Sequence, residues 1–192
     1  MDKNTNSPIL YWITGLSGAG KTTIAKELYY TLKKRVKNIV LLDGDQLRVV
    51  FGNNKGYSIE QRLALSRQYC NLCKMLIDQD IHVICATISM FNQIRDWNSN
   101  NIDGYLEIYV RVPMDILIKR DQKQLYSRAL KKEISGVMGI DIPYEEPCNP
   151  DMIINNDGAT SPDLLAKQII KFSGLYECKQ NSLNSGDTIL ID

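Results

Sequence analysis

Short apolar runs at residues 9–14, 38–42, 81–86, 105–112 and 152–155 have strand length and are set apart by turn-forming residues. Between them lie stretches with a helical period. Residues 21–32 place Ile24, Ala25, Leu28 and Leu32 on one side, and residues 58–78 open with Ser58 and Gln61 at the spacing of a capping box. Residues 114–120 continue the pattern, and 161–172 begin with Ser161-Pro162, suited to the N-cap and first helical position. Strands alternating with helices predict an α/β fold: a mainly parallel five-stranded sheet with helices on both faces. The Asn-rich stretch between residues 86 and 105 reads as a polar loop. Residues 121–150 mix charges, glycines and prolines without a sustained period, which suits a lid over a binding site better than a core. Residues 1–174 are thus expected to form one domain. The tail, 175–192, is polar until Thr188-Ile189-Leu190-Ile191, a pattern compatible with an edge strand or with disorder.

The first strand runs directly into Gly15-Leu16-Ser17-Gly18-Ala19-Gly20-Lys21-Thr22-Thr23, and a helix follows. This is the context a phosphate-binding P-loop requires. Glycines at 15, 18 and 20 let successive backbone N–H groups converge on phosphate oxygens, and the helix N-terminus adds partial positive charge. Lys21 is placed to reach the β- and γ-phosphates of a nucleoside triphosphate, and the Thr22 hydroxyl to hold Mg²⁺. The expected fold is therefore a P-loop NTPase of nucleotide-kinase type, with ATP contacts from Gly15, Ser17, Gly18, Ala19, Gly20, Lys21, Thr22 and Thr23.

Composition narrows the partners. The chain of 192 residues has a formal charge of +1 and no basic stripe, which argues against a nucleic-acid polymer but not against a small anionic nucleotide. The cluster Lys33-Lys34-Arg35 with Lys37 falls at the end of the first helix, where it complements the helix dipole. No run approaches membrane-span length, and residues 1–7 lack the apolar core of a signal peptide, so a cytoplasmic protein is expected. Cys70 and Cys73 form a C-x-x-C, yet no second pair follows and both lie on an apolar helical series, so core packing is expected rather than metal or redox chemistry. His82, the single histidine, is assigned no role.

A P-loop alone allows a GTPase, a motor or a small-molecule kinase. The N-K-x-D segment for guanine is absent, since Asn54-Lys55 is followed by Gly56-Tyr57, and the strand at 81–86 ends without the acidic residue of a motor ATPase. The carboxylates left to serve Mg²⁺ and an acceptor are Asp43 and Asp45, at the end of the neighbouring strand. A base there lies across the γ-phosphate from the leaving group, which favours phosphoryl transfer to an alcohol.

Several motifs beyond the P-loop then agree with one another. Leu42-Asp43-Gly44-Asp45-Gln46-Leu47-Arg48, Tyr57-Ser58 with Arg62, Ile88-Ser89, Arg120-Asp121-Gln122-Lys123-Gln124-Leu125-Tyr126 and Gly139-Ile140-Asp141-Ile142-Pro143-Tyr144-Glu145 occur in order. Over about residues 8–172 the chain resembles the adenylylsulfate (APS) kinases. The resemblance implies ATP, Mg²⁺, transfer to the 3′-hydroxyl of a nucleotide bearing a 5′-phosphoanhydride, and a homodimer. It places Lys21, Asp43 and Asp45 in catalysis and Thr22 and Asp43 at the metal. Asp45, Arg48, Tyr57, Arg62, Leu65, Ile88, Ser89, Lys123 and Val137 would meet the acceptor, with Arg48 and Arg62 clamping its phosphoanhydride. Lys123 and Arg128 would neutralise charge on the transferring group.

The chain also departs from that family. Where two phenylalanines usually sandwich the substrate adenine, it has Tyr57 and Val137. Leu65 stands where the family usually has asparagine, three residues after Arg62 on the same helical face. Met90 replaces a proline and Gln61 an aspartate. Relatives of APS kinases phosphorylate the 3′-hydroxyl of cytidine diphosphoramidate on the route to phosphoramidate-decorated capsules, and a pyrimidine suits these changes. APS itself is the alternative acceptor. A catalytically silent nucleotide-binding partner is a third reading, opposed by the intact Lys21, Thr22, Asp43, Asp45 and Arg48.

Overall fold

The structure, a computed structural model, describes residues 7–52 and 56–175. The predicted tail strand lies outside the described residues. Five parallel strands, β1 (Leu10–Thr14), β2 (Ile39–Asp43), β3 (His82–Thr87), β4 (Tyr105–Arg111) and β5 (Met152–Asn155), form one sheet in the order β2-β3-β1-β4-β5. β1 is central and wholly buried, so its apolar run has no exposed face and shows no alternation.

α1 (Lys21–Lys33) leads from β1 outward to β2, and α3 (Ile59–Ile77) leads back to β3. Right-handed crossovers in opposite directions place these helices on opposite faces. α1 packs with α7 (Pro162–Ser173), and α3 packs with α4 (Asn92–Asn101). The crevice outside the carboxyl ends of β1 and β3, where the chain reverses direction across the sheet, is the expected ligand position. The P-loop follows β1 there, and Ile88-Ser89 follows β3.

Local chemistry explains the helix ends. Ser58 and Gln61 form the capping box: Ser58 Oγ accepts from Gln61 N at 3.3 Å, and Ser58 N donates to Gln61 Oε1 at 3.0 Å. Ser161 caps α7 with proline at its start. Lys33 closes the turn after α1 by donating to the Lys37 carbonyl at 2.9 Å, consistent with a capping role for that basic cluster. Cys70, Cys73 and Cys85 are buried together, and burial raises the Cys70 thiol to about 12, so it stays protonated. Among the described residues no three His, Cys, Asp or Glu side chains converge as a metal site. His82 Nδ1 accepts the Ile9 backbone N–H at 3.1 Å, a structural task at the start of β3.

Two expectations are corrected. The Asn-rich stretch is not a loop, because residues Asn92–Asn101 form α4. Its asparagines are poor helix formers, but tertiary contacts override that preference: Ile94 is buried, and Arg95 Nε meets Glu107 of β4 at 3.3 Å in a buried ion pair. The strand carrying Asp43 is not adjacent to β1. β3 intervenes, with Asp43 beside Ala86 and Thr87 beside Thr14. A short helix unread in the sequence, α2 (Gly44–Val50), starts directly at Asp43. The stretch after α5 (Met114–Arg120) also contains a tight helical turn at Gln122–Gln124 and α6 (Leu125–Leu130). Tyr126, Val137 and Met138 of this stretch are buried, so its apolar members anchor it to the body of the fold.

Candidate active site

The P-loop is held from behind by its carbonyls. Lys21 Nζ donates to Leu16 O at 2.8 Å, Tyr126 Oη to Ser17 O at 2.8 Å, Arg120 to Gly18 O at 3.3 Å and Asn156 Nδ2 to Ala19 O at 2.8 Å. These ties satisfy the carbonyls of residues 16–19, and apart from the Ala19 N–H, which donates to Leu16 O at 3.2 Å, the loop N–H groups are left to an anion. Gly20, at φ 96°, begins α1, and a Cβ there would come within 2.5 Å of Asn156 Nδ2. Gly15 and Ala19 do not line the cleft with side-chain space: a Cβ on Gly15 would strike Val110 O at 2.4 Å, and the Ala19 methyl is buried. Ser17, Gly18, Gly20, Lys21, Thr22 and Thr23 line the cleft. Arg120 and Tyr126 stood in a recognised motif without a role; Asn156 carried no sequence signal, because its contact spans 137 residues.

Lys21 is buried, and desolvation lowers its pKa to about 8 despite the attraction of Asp45 and Asp43. Thr22 Oγ1 donates to Asp43 Oδ2 at 2.6 Å. The other carboxylate oxygen, Asp43 Oδ1, accepts from Asp45 N at 3.0 Å and Gln46 N at 3.4 Å, capping α2. Asp43 is thereby rigid, with Oδ2 aimed at Thr22. Two hard oxygen donors, one at the start of α1 and one at the end of β2, suit Mg²⁺, which takes few protein ligands and the rest from phosphates and water. Asp45 is mostly exposed and pairs with Lys123 Nζ at 2.7 Å, which raises the lysine pKa. Arg128, expected near the transferring group, instead pairs with Glu133 at 3.6 Å and does not line the cleft.

Beyond the carboxylates, the cleft of about 500 Å³ continues between α3, the end of β3 and residues 134–138. Arg48 lies over the Tyr57 ring at 4.4 Å and Arg62 at 5.3 Å, so the ring expected to carry a base also holds both arginines. Arg62 is fixed by donating to Tyr57 O at 3.0 Å and Gly136 O at 2.6 Å. Burial and the nearby Arg48 both pull its pKa down. Two cations crowded in this way favour an anion between them. Gly136 and Val137 donate their N–H groups to Asp141, each at 2.6 Å, and this accounts for the aspartate in the Gly139–Glu145 motif. A Cβ on Gly136 would come within 2.8 Å of Tyr57 Cβ, so the loop closes on that ring only with glycine. Leu65, Ile88, Ser89 and Val137 all line the cleft, and Leu65 and Val137 are buried apolar walls. Sequence reasoning missed Ser66, Tyr69 and Thr87, which also reach it.

The comparisons with known proteins agree with this geometry. Residues 7–155 match the family described as adenylylsulphate kinase. The chain belongs to that family. It is 43% identical over 166 residues to the cytidine diphosphoramidate kinase of Campylobacter jejuni, covering 86% of this chain and 96% of that one. It is 39% identical over 167 residues to the adenylyl-sulfate kinase of Pseudomonas aeruginosa, covering 86% and 85%. The APS kinase of Mycobacterium tuberculosis, solved in complex with AMPPNP and APS, superposes with a TM-score of 0.79 at 30% identity, covering 86% of this chain and 97% of that one. The protein is a P-loop kinase, a phosphotransferase acting on a hydroxyl acceptor. No helix among the described residues is long and apolar enough to cross a membrane.

For such a kinase, Arg62→Lys is expected to raise the acceptor KM about tenfold and leave the KM for ATP within about twofold, because lysine keeps the charge but loses the planar fork. Steady-state kinetics with each substrate varied in turn checks this; an effect confined to ATP places Arg62 at the donor site.

Proposed function

We propose that the protein uses Mg-ATP to phosphorylate the 3′-hydroxyl of a nucleoside 5′-phosphoanhydride, with cytidine diphosphoramidate as preferred acceptor, in the building of phosphoramidate-bearing capsules. The observation that carries this reading is the apolar wall: Val137 and Leu65 are buried in the cleft at positions where APS kinases usually present a phenylalanine and an asparagine. One flat stacking surface is gone, which costs a purine more than a smaller pyrimidine. The likeness to the Campylobacter enzyme, acting on that acceptor by its name, supports the same choice.

In this reading Asp45 takes the proton of the 3′-hydroxyl as its oxygen attacks the γ-phosphorus and ADP leaves. Its exposed pairing with Lys123 allows the lysine to move to the transferring phosphoryl group when the nucleotides bind. Lys21 and the loop N–H groups stabilise charge developing on the phosphates. Thr22 and Asp43 would hold Mg²⁺, which would supply charge neutralisation on the phosphates. Arg48 and Arg62 clamp the acceptor's phosphoanhydride, and Tyr57 supports its base. The active form is a homodimer, checked by sedimentation.

The test is competition between cytidine diphosphoramidate and APS at equal concentration. The cytidine nucleotide is expected to show the higher kcat/KM, and Val137→Phe to move the ratio toward APS by about tenfold, equivalent to roughly 1.4 kcal/mol. A wild-type preference for APS returns the chain to sulfate activation; no turnover of either, with ATP bound, identifies a silent partner.

A further inference from the structure

Beneath the arginine clamp lies a chain of buried hydroxyls. Ser66 Oγ is 2.7 Å from Ser89 Oγ, which is 3.0 Å from Thr87 Oγ1. The three residues are 4%, 4% and 5% exposed, and all line the cleft. Ser66 lies one turn after Arg62 on α3 and directly follows Leu65, so it lines the same cleft as the guanidinium that is proposed to clamp the acceptor. The amide usual in this family at position 65 has been replaced by an apolar side chain, while a hydroxyl enters the cleft one residue later.

The chain's hydrogen-bonding capacity is unequal. Each hydroxyl has one proton and two lone pairs. The two internal contacts consume two of the three protons and two of the lone pairs, which leaves a single proton and several acceptor sites. A terminal sulfate, or a terminal phosphate in its fully ionised form above neutral pH, offers only acceptors, and it can use that one proton once. An amidate offers N–H donors that the remaining lone pairs take. A buried polar site discriminates strongly against a ligand that leaves its groups unpaired.

We propose that Ser66, through the Ser66–Ser89–Thr87 hydroxyl chain, reads the outer end of the acceptor's phosphoanhydride and selects a nucleoside diphosphate whose terminal phosphorus bears an N–H donor over one bearing oxygens alone. This rests on the acceptor reading above and adds the group that recognises the nitrogen. Leu65 contributes by withholding the amide donor that an oxygen-only terminus would use.

The experiment compares cytidine diphosphoramidate with cytidine diphosphate, which differ at the terminal group while base and ribose stay the same. Wild-type enzyme is expected to favour the amidate. In Ser66→Ala that preference falls about tenfold with the KM for ATP unchanged, while the melting temperature falls modestly because Ser89 keeps its contact with Thr87; a purely structural serine would lower the melting temperature without moving the ratio. Leu65→Asn moves the ratio the same way by a different route, raising turnover of cytidine diphosphate. Should Ser66→Ala fail to fold, Ser66→Cys, near in size but a weak acceptor, carries the same expectation. A wild-type preference for cytidine diphosphate, or an unchanged ratio in the folded variant, overturns the inference and leaves the cytidine reading intact. Failure of the wild type to phosphorylate either cytidine nucleotide overturns that reading, and the inference with it.

Discussion

Lys21→Ala is expected to lower kcat for phosphoryl transfer by a hundredfold or more, the order of effect seen on removing one preorganised donor to developing charge. The variant should nevertheless be at least as stable as the wild type at neutral pH. Burial holds the Lys21 pKa at about 8 against an ordinary 10.5, so the folded protein disfavours the charged form. Below pH 8 both folded and unfolded chains carry the proton, and the fold bears the full cost of the buried charge. As pH rises from about 8 to 10.5 the unfolded chain binds the extra proton, so wild-type stability gains relative to the variant, by up to about 3 kcal/mol. Melting temperatures of both proteins across that window, with a kinase assay at neutral pH, check both halves. Near-native turnover in Lys21→Ala would remove the P-loop lysine from the chemistry. Parallel melting curves would mean that Lys21 is not the group carrying the pH dependence.

Asp45→Asn is expected to reduce kcat by a factor of about 10² to 10⁴ while leaving the KM for ATP nearly unchanged, since the amide keeps the shape and cannot accept the proton. Little stability should be lost, because the Lys123 pair is exposed and such pairs are worth about 0–1 kcal/mol. Asp43→Asn provides the contrast. Its carboxylate both caps α2 and meets Thr22, so the same substitution there should raise the Mg²⁺ concentration needed for half-maximal rate. Magnesium titrations of the two variants separate the assignments. If the Mg²⁺ dependence moves in Asp45→Asn and not in Asp43→Asn, the two roles are exchanged, and full activity in both removes the pair from the reaction.

Local patterns in the sequence carried the architecture. Ser58 with Gln61, Ser161 with Pro162, and the glycines around Lys21 each act over a few residues, so their consequences can be read without knowing what they pack against. α4 escaped because its asparagines disfavour a helix in isolation and its stability comes from Arg95 reaching Glu107 and from Ile94 in the core. α2 is faint in the sequence because it is seven residues long, begins with glycine, and has as its cap the same Asp43 whose carboxylate faces the cleft.

The P-loop, the order of the five strands and of helices α1, α3, α5 and α7, and the carboxylates at the end of β2 are properties of this sequence by itself, since each depends on residue type at short spacing; Arg48 and Arg62 were legible through the motifs that resemble the APS kinases. Tertiary structure alone decided how these parts meet. It inserted β3 between the strand of the P-loop and that of Asp43, tied the loop carbonyls to Tyr126, Arg120 and Asn156, gave Tyr57 to both arginines and sent Arg128 away from the cleft to Glu133. It also joined Ser66 to Ser89 and Thr87. Most of these contacts link residues distant in sequence, and even the short-range ones, Tyr57 with Arg62, Arg128 with Glu133 and Thr87 with Ser89, take their geometry from backbones that the sheet order and the packing of the helices bring together.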